Sequence, residues 1–165
     1  MPACSRSMSD TPVKKQPTKR RKPTRPTPKP KGAKPPKGGP KVDPDKVKLV
    51  QKPGRKNKGN GPGGEYWEVA VDGKRAGEVF INVIDELPVG KHASLQIFLN
   101  QVDQGRGIGR IAYRMAAESS RHGIIHLHMR KANVASRLAA EAAGFVDVSP
   151  PGFTQLILRR ERSDK

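Results

Sequence analysis

The chain has 165 residues, with 33 Lys and Arg against 15 Asp and Glu and a formal net charge of +18. This length suits one modest domain, and the single cysteine, Cys4, excludes an intrachain disulfide. No apolar run approaches the roughly 18–20 residues that cross a bilayer, and the N-terminus lacks the apolar segment of a secretory signal, so we expect a cytoplasmic or nucleoid-associated protein without membrane contact.

Most of the positive charge lies in the N-terminal third. Residues 1–58 hold 19 Lys and Arg and 3 Asp and Glu, a net charge of +16, whereas residues 59–165 hold 14 and 12. Thirteen of the 16 prolines precede Gly64 and large apolar side chains are scarce. The composition therefore predicts a disordered basic arm and Gly-rich linker over residues 1–63, interrupted by a short strand near residues 47–50.

Such an arm favours contact with nucleic-acid phosphates or other polyanions through residues 1–58. It has no aromatic residue to stack on bases, so sequence-selective reading of single strands is not expected. A solubilising tail is the alternative interpretation.

Residues 64–161 have the apolar periodicity of a folded domain. Asp72-Gly73 predicts a hairpin turn, and apolar residues three and four apart after Ile108 predict a helix that ends at His122-Gly123. Asn133 is a helix N-cap candidate, and Gly144 is a stop signal. The predicted strands cover residues 66–71, 76–84, 92–99, 124–129, 145–148 and 154–158, and the second helix covers residues 134–143.

This order, β-β-β-α-β-α-β-β, predicts an α/β (α+β) fold with a mixed sheet. Strand–helix–strand crossovers are right-handed in nearly all proteins, so we expect both helices on one face of the sheet. Alternation along the strands agrees, because Leu95 and Ile97 share one face while His92 and Gln96 share the other. The sequence thus predicts one apolar, covered face and one polar, partly bare face.

A glycine-rich turn connects the third of these strands to the first helix. It reads Gln104-Gly105-Arg106-Gly107-Ile108-Gly109-Arg110. A turn of this kind leaves backbone N–H groups unpaired at a helix N-terminus, where they and the helix dipole favour a phosphate group. A dinucleotide fingerprint would need glycine instead of Arg110, and a Walker loop would need Gly-Lys-Ser/Thr. The turn predicts a diphosphate site, with a purely structural turn as the alternative.

These residues resemble the Gcn5-related N-acetyltransferases (GNAT family), as a short and divergent member. The family's cofactor motif, Gln/Arg-x-x-Gly-x-Gly/Ala, is matched by Gln104, Gly107 and Gly109. Asn133 and the Gly144-Phe145 pair follow at the family's spacing, and the resemblance covers about residues 66–160. It implies a GNAT-like sheet with two helices on one face, and acetyl-CoA or another acyl-CoA as co-substrate.

The resemblance also implies roles for individual residues. The backbone N–H groups of residues 105–110 would hold the pyrophosphate of the acyl-CoA. The pantetheine arm would lie beside the strand that ends at Leu99, and the N–H of Leu99 would polarise the thioester carbonyl. Asn133 would contact the pantetheine or cap the second helix. These expectations make Leu99, Gln104 to Arg110 and Asn133 the candidate cofactor-binding residues.

The sequence departs from the family in three ways. Ala140 stands where the family often has the tyrosine general acid, and Ala93 stands where many members have a glutamate base. The family's first two helices, which build much of the acceptor site, have no counterpart. His92 and Glu78 are the remaining candidates for the base, although a loop-edge histidine and a solvated strand residue explain them equally. No metal site is predicted, because His126 and His128 lack a clear third ligand.

Two functions remain open. One is an N-acyltransferase that moves an acetyl or acyl group from acyl-CoA to an amine, with a basic tail for polyanions. The other is a catalytically degenerate GNAT-fold module that serves as a scaffold tethered to nucleic acid. An exposed sheet edge favours pairing of two copies.

Overall fold

The computed structural model describes residues 39–162, and the predicted arm before residue 39 lies outside the described residues. The described part forms one mixed seven-stranded sheet with the order β1-β2-β3-β4-β5-β7-β6. The strands are β1 (Val47–Gln51), β2 (Glu65–Val71), β3 (Lys74–Glu86), β4 (Gly90–Leu99), β5 (Ile124–Arg130), β6 (Val146–Asp147) and β7 (Gln155–Glu161), and the helices are α1 (Ile108–Ser119) and α2 (Val134–Ala142).

The order of elements confirms the predicted fold class. β1 to β4 form antiparallel neighbours, β4 runs parallel to β5, and β7 lies antiparallel between β5 and β6. The observed strands differ from the predicted ones mainly in length. β3 extends to Glu86 because its partner β4 begins as early as Gly90, whereas β6 is only two residues long.

The core lies on one face of the sheet. Alternate residues of the strands, such as Val79, Leu95 and Leu127, are buried there together with Ile108 of α1 and Ala140 of α2. Both helices therefore cover the same face, as the right-handed crossovers predicted. None of the helices in residues 39–162 is long and apolar enough to cross a membrane.

The opposite face is less bare than predicted. Residues 54–64, interpreted from sequence as a flexible linker, fold back onto this face. Asn82 on β3 donates to the carbonyl oxygen of Asn57 at 3.0 Å and accepts the backbone N–H of Gly59 at 2.8 Å. β1 in turn pairs with β2 along its whole length. The predicted boundary at residues 63 and 64 thus falls inside the folded part, because polar contacts hold a segment that has almost no apolar residues.

Candidate functional site

The glycine turn leads from a short 3₁₀ helix, Gln101–Asp103, into α1. Gly107 precedes the helix with a φ of 81°, a left-handed conformation that favours glycine. Among residues 39–162 no acceptor contacts the backbone N–H groups of Gly105, Arg106 or Gly107. The first N–H groups of α1 add to these three, because a helix leaves its first turn of donors without intrahelical partners. The turn is thus a set of free donors at the positive end of a helix.

A cleft of about 740 Å³ lies at this turn, between α1 and α2. It brings together most of the candidate cofactor residues from β4, the turn, α1 and the start of α2. These lining residues are Leu99, Gln104, Gly105, Gly107, Gly109, Arg110 and Asn133. The other two candidates do not line the cleft: the Arg106 guanidinium binds Asp103 at 2.9 Å, and Ile108 is fully buried in the core. For these two residues only the backbone N–H remains a candidate.

Gly109 lines this cleft where α1 lies near α2 and β4. A Cβ at Gly109 would lie 3.6 Å from the Cβ of Ala139 on α2 and 3.9 Å from Cδ1 of Leu99 on β4. Both neighbours line the cleft. A larger side chain at this position would therefore occupy the space between the two helices, and this fits a turn built to admit a ligand.

The cleft continues toward a gap between β4 and β5. In the described part of the chain, these two parallel strands are paired at one position, where Ser94 lies opposite His126. Beyond this pair the strands separate. Asn100 donates its N–H to Ala76 of β3 at 2.9 Å, so the N–H of Leu99, one residue earlier, is directed to the β5 side. A second cavity of about 300 Å³ occupies the gap. Its wall shares four residues with the cleft: Ile97, Tyr113, Asn133 and Ser136.

Tyr113 and Ser136 are site residues that the sequence reasoning missed. The Tyr113 hydroxyl and Ser136 Oγ lie 2.8 Å apart, and both residues line the cleft and the gap. Burial raises the pKa of Tyr113 although the Ser136 hydrogen bond opposes this, so the phenol stays protonated at neutral pH. The one feature of the sequence that could have indicated this role is the position of Tyr113, which lies outside the aliphatic face of α1. Asn133 has the capping role that was its alternative, because its side chain accepts the N–H of Ser136 at 3.3 Å.

Glu78 is a buried member of an ion cluster and not a solvated strand residue. Its carboxylate accepts hydrogen bonds from the Tyr66 hydroxyl at 2.8 Å, from Arg75 at 3.0 Å and from Lys58. Burial alone would raise the pKa of Glu78, but the Lys58 and Tyr66 hydrogen bonds and the two cationic charges outweigh it and lower the pKa. A carboxylate held ionised by these partners is a weak base, and Glu78 does not line the cleft.

Lys58 also contacts two aromatic rings, and these contacts hold its loop over the sheet. Its Nζ lies 5.9 Å from the ring centroid of Phe80 and 5.7 Å from that of Phe98. These two rings stack on the polar face, on β3 and β4. The cation and the rings attract each other, so the loop that carries Lys58 is held over the sheet.

His92 is buried and not at a loop edge. Its Nδ1 lies 2.6 Å from the carbonyl oxygen of Gly90, and its Nε2 lies 2.7 Å from Nε2 of His128. Its ring also contacts that of His126, with centroids 4.9 Å apart. The three histidines therefore meet on the polar face of the sheet, where β4 and β5 lie next to each other. Within residues 39–162 no group of three or more His, Cys, Asp or Glu residues has a metal-binding arrangement.

Comparison with known proteins gives a likeness in structure alone. No protein-family model matches the sequence, and no curated protein matches it either. The structure of AAC(6')-Ib with paromomycin and acetyl-CoA is similar, with a TM-score of 0.51 and 16% identity over 61% of this chain and 66% of that chain.

Two further structures have slightly lower scores. A GNAT-family acetyltransferase from Streptococcus pneumoniae has a TM-score of 0.49 and 17% identity over 65% of this chain and 72% of that chain. Campylobacter jejuni PseH with acetyl coenzyme A has a TM-score of 0.49 and 14% identity over 62% and 71%. The chain spans between 53% and 72% of the length of such structures. Identity this low carries the fold and no more: this chain has the fold of the Gcn5-related N-acetyltransferases, and its described residues, 39–162, contain the two α-helices α1 and α2.

Proposed function

We propose that the chain is an acyl-CoA-dependent N-acyltransferase. One observation carries the proposal: unpaired N–H groups at the start of α1 face a cleft that continues into the gap between β4 and β5. A diphosphate with a long, thin extension matches this shape, and acyl-CoA has that form. Acyl-CoA would supply an activated thioester, which is the acyl donor for an amine.

The chain's own residues account for binding and orientation. The amides of the turn, with Gln104 and Arg110 beside them, would hold the diphosphate at the positive end of α1. The N–H of Leu99, which is directed to the β5 side, is available to the carbonyl oxygen of a donor in the gap. Donors fixed by secondary structure need little rearrangement, so positioning would supply much of the rate.

Titration calorimetry with acetyl-CoA and desulfo-CoA tests the binding step. We expect both ligands to bind, because both carry the diphosphate. Release of the CoA thiol is then followed with a panel that contains a lysine peptide, a peptide with a free N-terminus and spermidine. Binding without thiol release from any member would favour the scaffold function. No binding of either ligand at micromolar sensitivity would refute the acyl-CoA site.

We further propose that the basic arm tethers the domain to a polyanion such as nucleic acid. The net charge of +16 over residues 1–58 supports this. The test replaces Lys19, Arg20, Arg21 and Lys22 by Gln in the full chain and measures DNA binding at several salt concentrations. We expect weaker binding with a shallower salt dependence. Unchanged binding would refute a role for these charges. Self-association through β1, an edge strand of the sheet within residues 39–162, is a separate proposal, which sedimentation would test.

A further inference from the structure

The gap between β4 and β5 passes from one face of the sheet to the other. Its wall includes Leu95 and Leu127, which belong to the core face, and also Gln96 and His128, which belong to the polar face. An acyl group that enters from the cleft at α1 would therefore meet His128 where the gap reaches the polar face. An amine acceptor would have to approach from that side, because α1 and α2 cover the other.

When both rings are neutral, the hydrogen bonds of His92 and His128 decide which nitrogen of each ring carries the proton. A carbonyl oxygen only accepts, so Nδ1 of His92 must donate to Gly90 across 2.6 Å. In neutral His92 the other nitrogen, Nε2, is then an acceptor. The atom 2.7 Å away is Nε2 of His128, which must donate. His128 is thereby held in the tautomer whose Nδ1 is unprotonated and has no acceptor or donor among residues 39–162.

We propose that Nδ1 of His128 is the proton acceptor for the incoming amine, and that His92 is a positioning residue that fixes the tautomer of His128. This inference rests on the proposed N-acyltransferase function. In the step, the amine nitrogen forms a bond with the acyl carbon and the carbon–sulfur bond breaks. The protonated amine gives one proton to Nδ1 of His128 before it attacks. The second proton, which the nitrogen loses as the amide forms, passes to the thiolate, which leaves with the electron pair of the broken bond.

The surroundings keep His128 ready to accept. Burial lowers the pKa of His128 below its usual 6.5, and a positive charge on His92 would lower it further, while Glu86 at the end of β3 opposes both effects. The other titratable groups at the cluster are His126 on the same strand and Arg159 on β7. Neither of them favours a positive charge on His128. The imidazole of His128 is therefore neutral at neutral pH.

The test compares two nucleophiles on the full chain. Spermidine is protonated at neutral pH and needs a proton acceptor, whereas hydroxylamine is largely unprotonated and depends on it much less. His128→Gln retains an amide to bind His92 but has no basic nitrogen. We expect about 100-fold slower transfer to spermidine, little change with hydroxylamine and unchanged acetyl-CoA binding by calorimetry. His122→Gln is the matched control, because His122 bonds Gly63 and lines neither the cleft nor the gap, and it should retain activity with both nucleophiles.

The pH profile separates a proton acceptor from a structural residue. In the unaltered chain, transfer to spermidine should fall as the pH drops through the pKa of His128. His92→Gln removes one cause that lowers this pKa, so the acidic limb should move to higher pH. Equal losses with both nucleophiles, or an unchanged rate in His128→Gln, would overturn this inference while leaving the transferase function in place. No thiol release by the unaltered chain with either nucleophile would overturn both.

Discussion

Val42 donates its backbone N–H to the carbonyl oxygen of Arg106 at 3.0 Å, and this bond holds the chain before β1 against the glycine turn. Arg106 returns a bond from Nε to the carbonyl oxygen of Pro40 at 3.3 Å. The side chain of Val42 is buried in the core. Residues 40–42 therefore lie beside the candidate diphosphate site, and Lys41 is part of the cleft wall.

Lys41 should strengthen the binding of acyl-CoA. The Lys41→Gln change removes one cation from the cleft, and we expect acetyl-CoA binding to weaken about threefold to tenfold, more at low salt, because a partly exposed charge pair contributes about 1 kcal/mol. Calorimetry at two salt concentrations measures the change. Lys48→Gln on the exposed side of β1 makes the same change in net charge outside the cleft, so equal effects of the two variants would contradict a local role for Lys41.

Gly109 should be essential for binding and dispensable for folding. Gly109→Val places a branched side chain between Leu99 and Ala139, so acetyl-CoA should bind at least about tenfold more weakly, a loss of about 1.4 kcal/mol. Stability should not fall, because glycine is a poor helix former and the position has an ordinary helical backbone. Calorimetry and urea unfolding measure the two effects.

Gly123→Val is the control for Gly109→Val. A Cβ at Gly123 would contact nothing within 4 Å, so the added side chain should leave the affinity for acetyl-CoA unchanged. Full affinity in Gly109→Val would show that the space between α1 and α2 is not used by the ligand.

Glu78 should stabilise the loop of residues 52–64 and not take part in chemistry. Glu78→Gln leaves Lys58 and Arg75 without their shared carboxylate, and we expect a loss of about 1–2 kcal/mol in the free energy of unfolding at pH 7. The pKa of Glu78 is lowered in the folded chain, so its contribution is complete above the unfolded value of 4.5 and is lost as the pH falls through the lower folded value.

Urea unfolding at neutral and acidic pH measures the effect of Glu78→Gln. The difference between the variant and the unaltered chain should shrink in acid. Glu68→Gln is a useful comparison, because Glu68 also pairs with cations but is more exposed, and its loss should be smaller. A large fall in acyl transfer with full stability would instead return Glu78 to the catalytic candidates.

His126 should remain neutral in the folded chain down to acidic pH. Burial, followed by the charges of His92, Arg159 and His128, lowers its pKa from 6.5 to about 4. Below pH 6.5 the unfolded chain takes up a proton that the folded chain does not. Stability should therefore fall between about pH 6.5 and pH 4, by an amount on the order of 2 kcal/mol.

NMR titration of the histidine ring signals measures the pKa of His126 directly. His126→Gln should flatten the stability profile over this range. A ring signal of His126 that titrates near 6.5 would contradict the buried, neutral state.

The sequence alone determined the order of strands and helices and the place of the glycine turn. These features depend on local patterns: the alternation of Leu95 and Gln96, the helical spacing after Ile108, and glycines that only a tight turn requires. The capping side chain of Asn133 is equally local. Such signals need no knowledge of distant residues, so they could be found from one chain.

Tertiary structure decided the rest, because each remaining feature joins residues far apart in the chain. His92 and His128 are 36 residues apart and meet only because β4 and β5 are neighbours in the sheet. Glu78 lies in an ion cluster because Lys58, 20 residues away in a segment that looks like a linker, reaches it together with Tyr66 and Arg75. Which ring nitrogens face each other, and which glycine lines a cleft, depends on distances of a few ångströms that no spacing along the sequence contains.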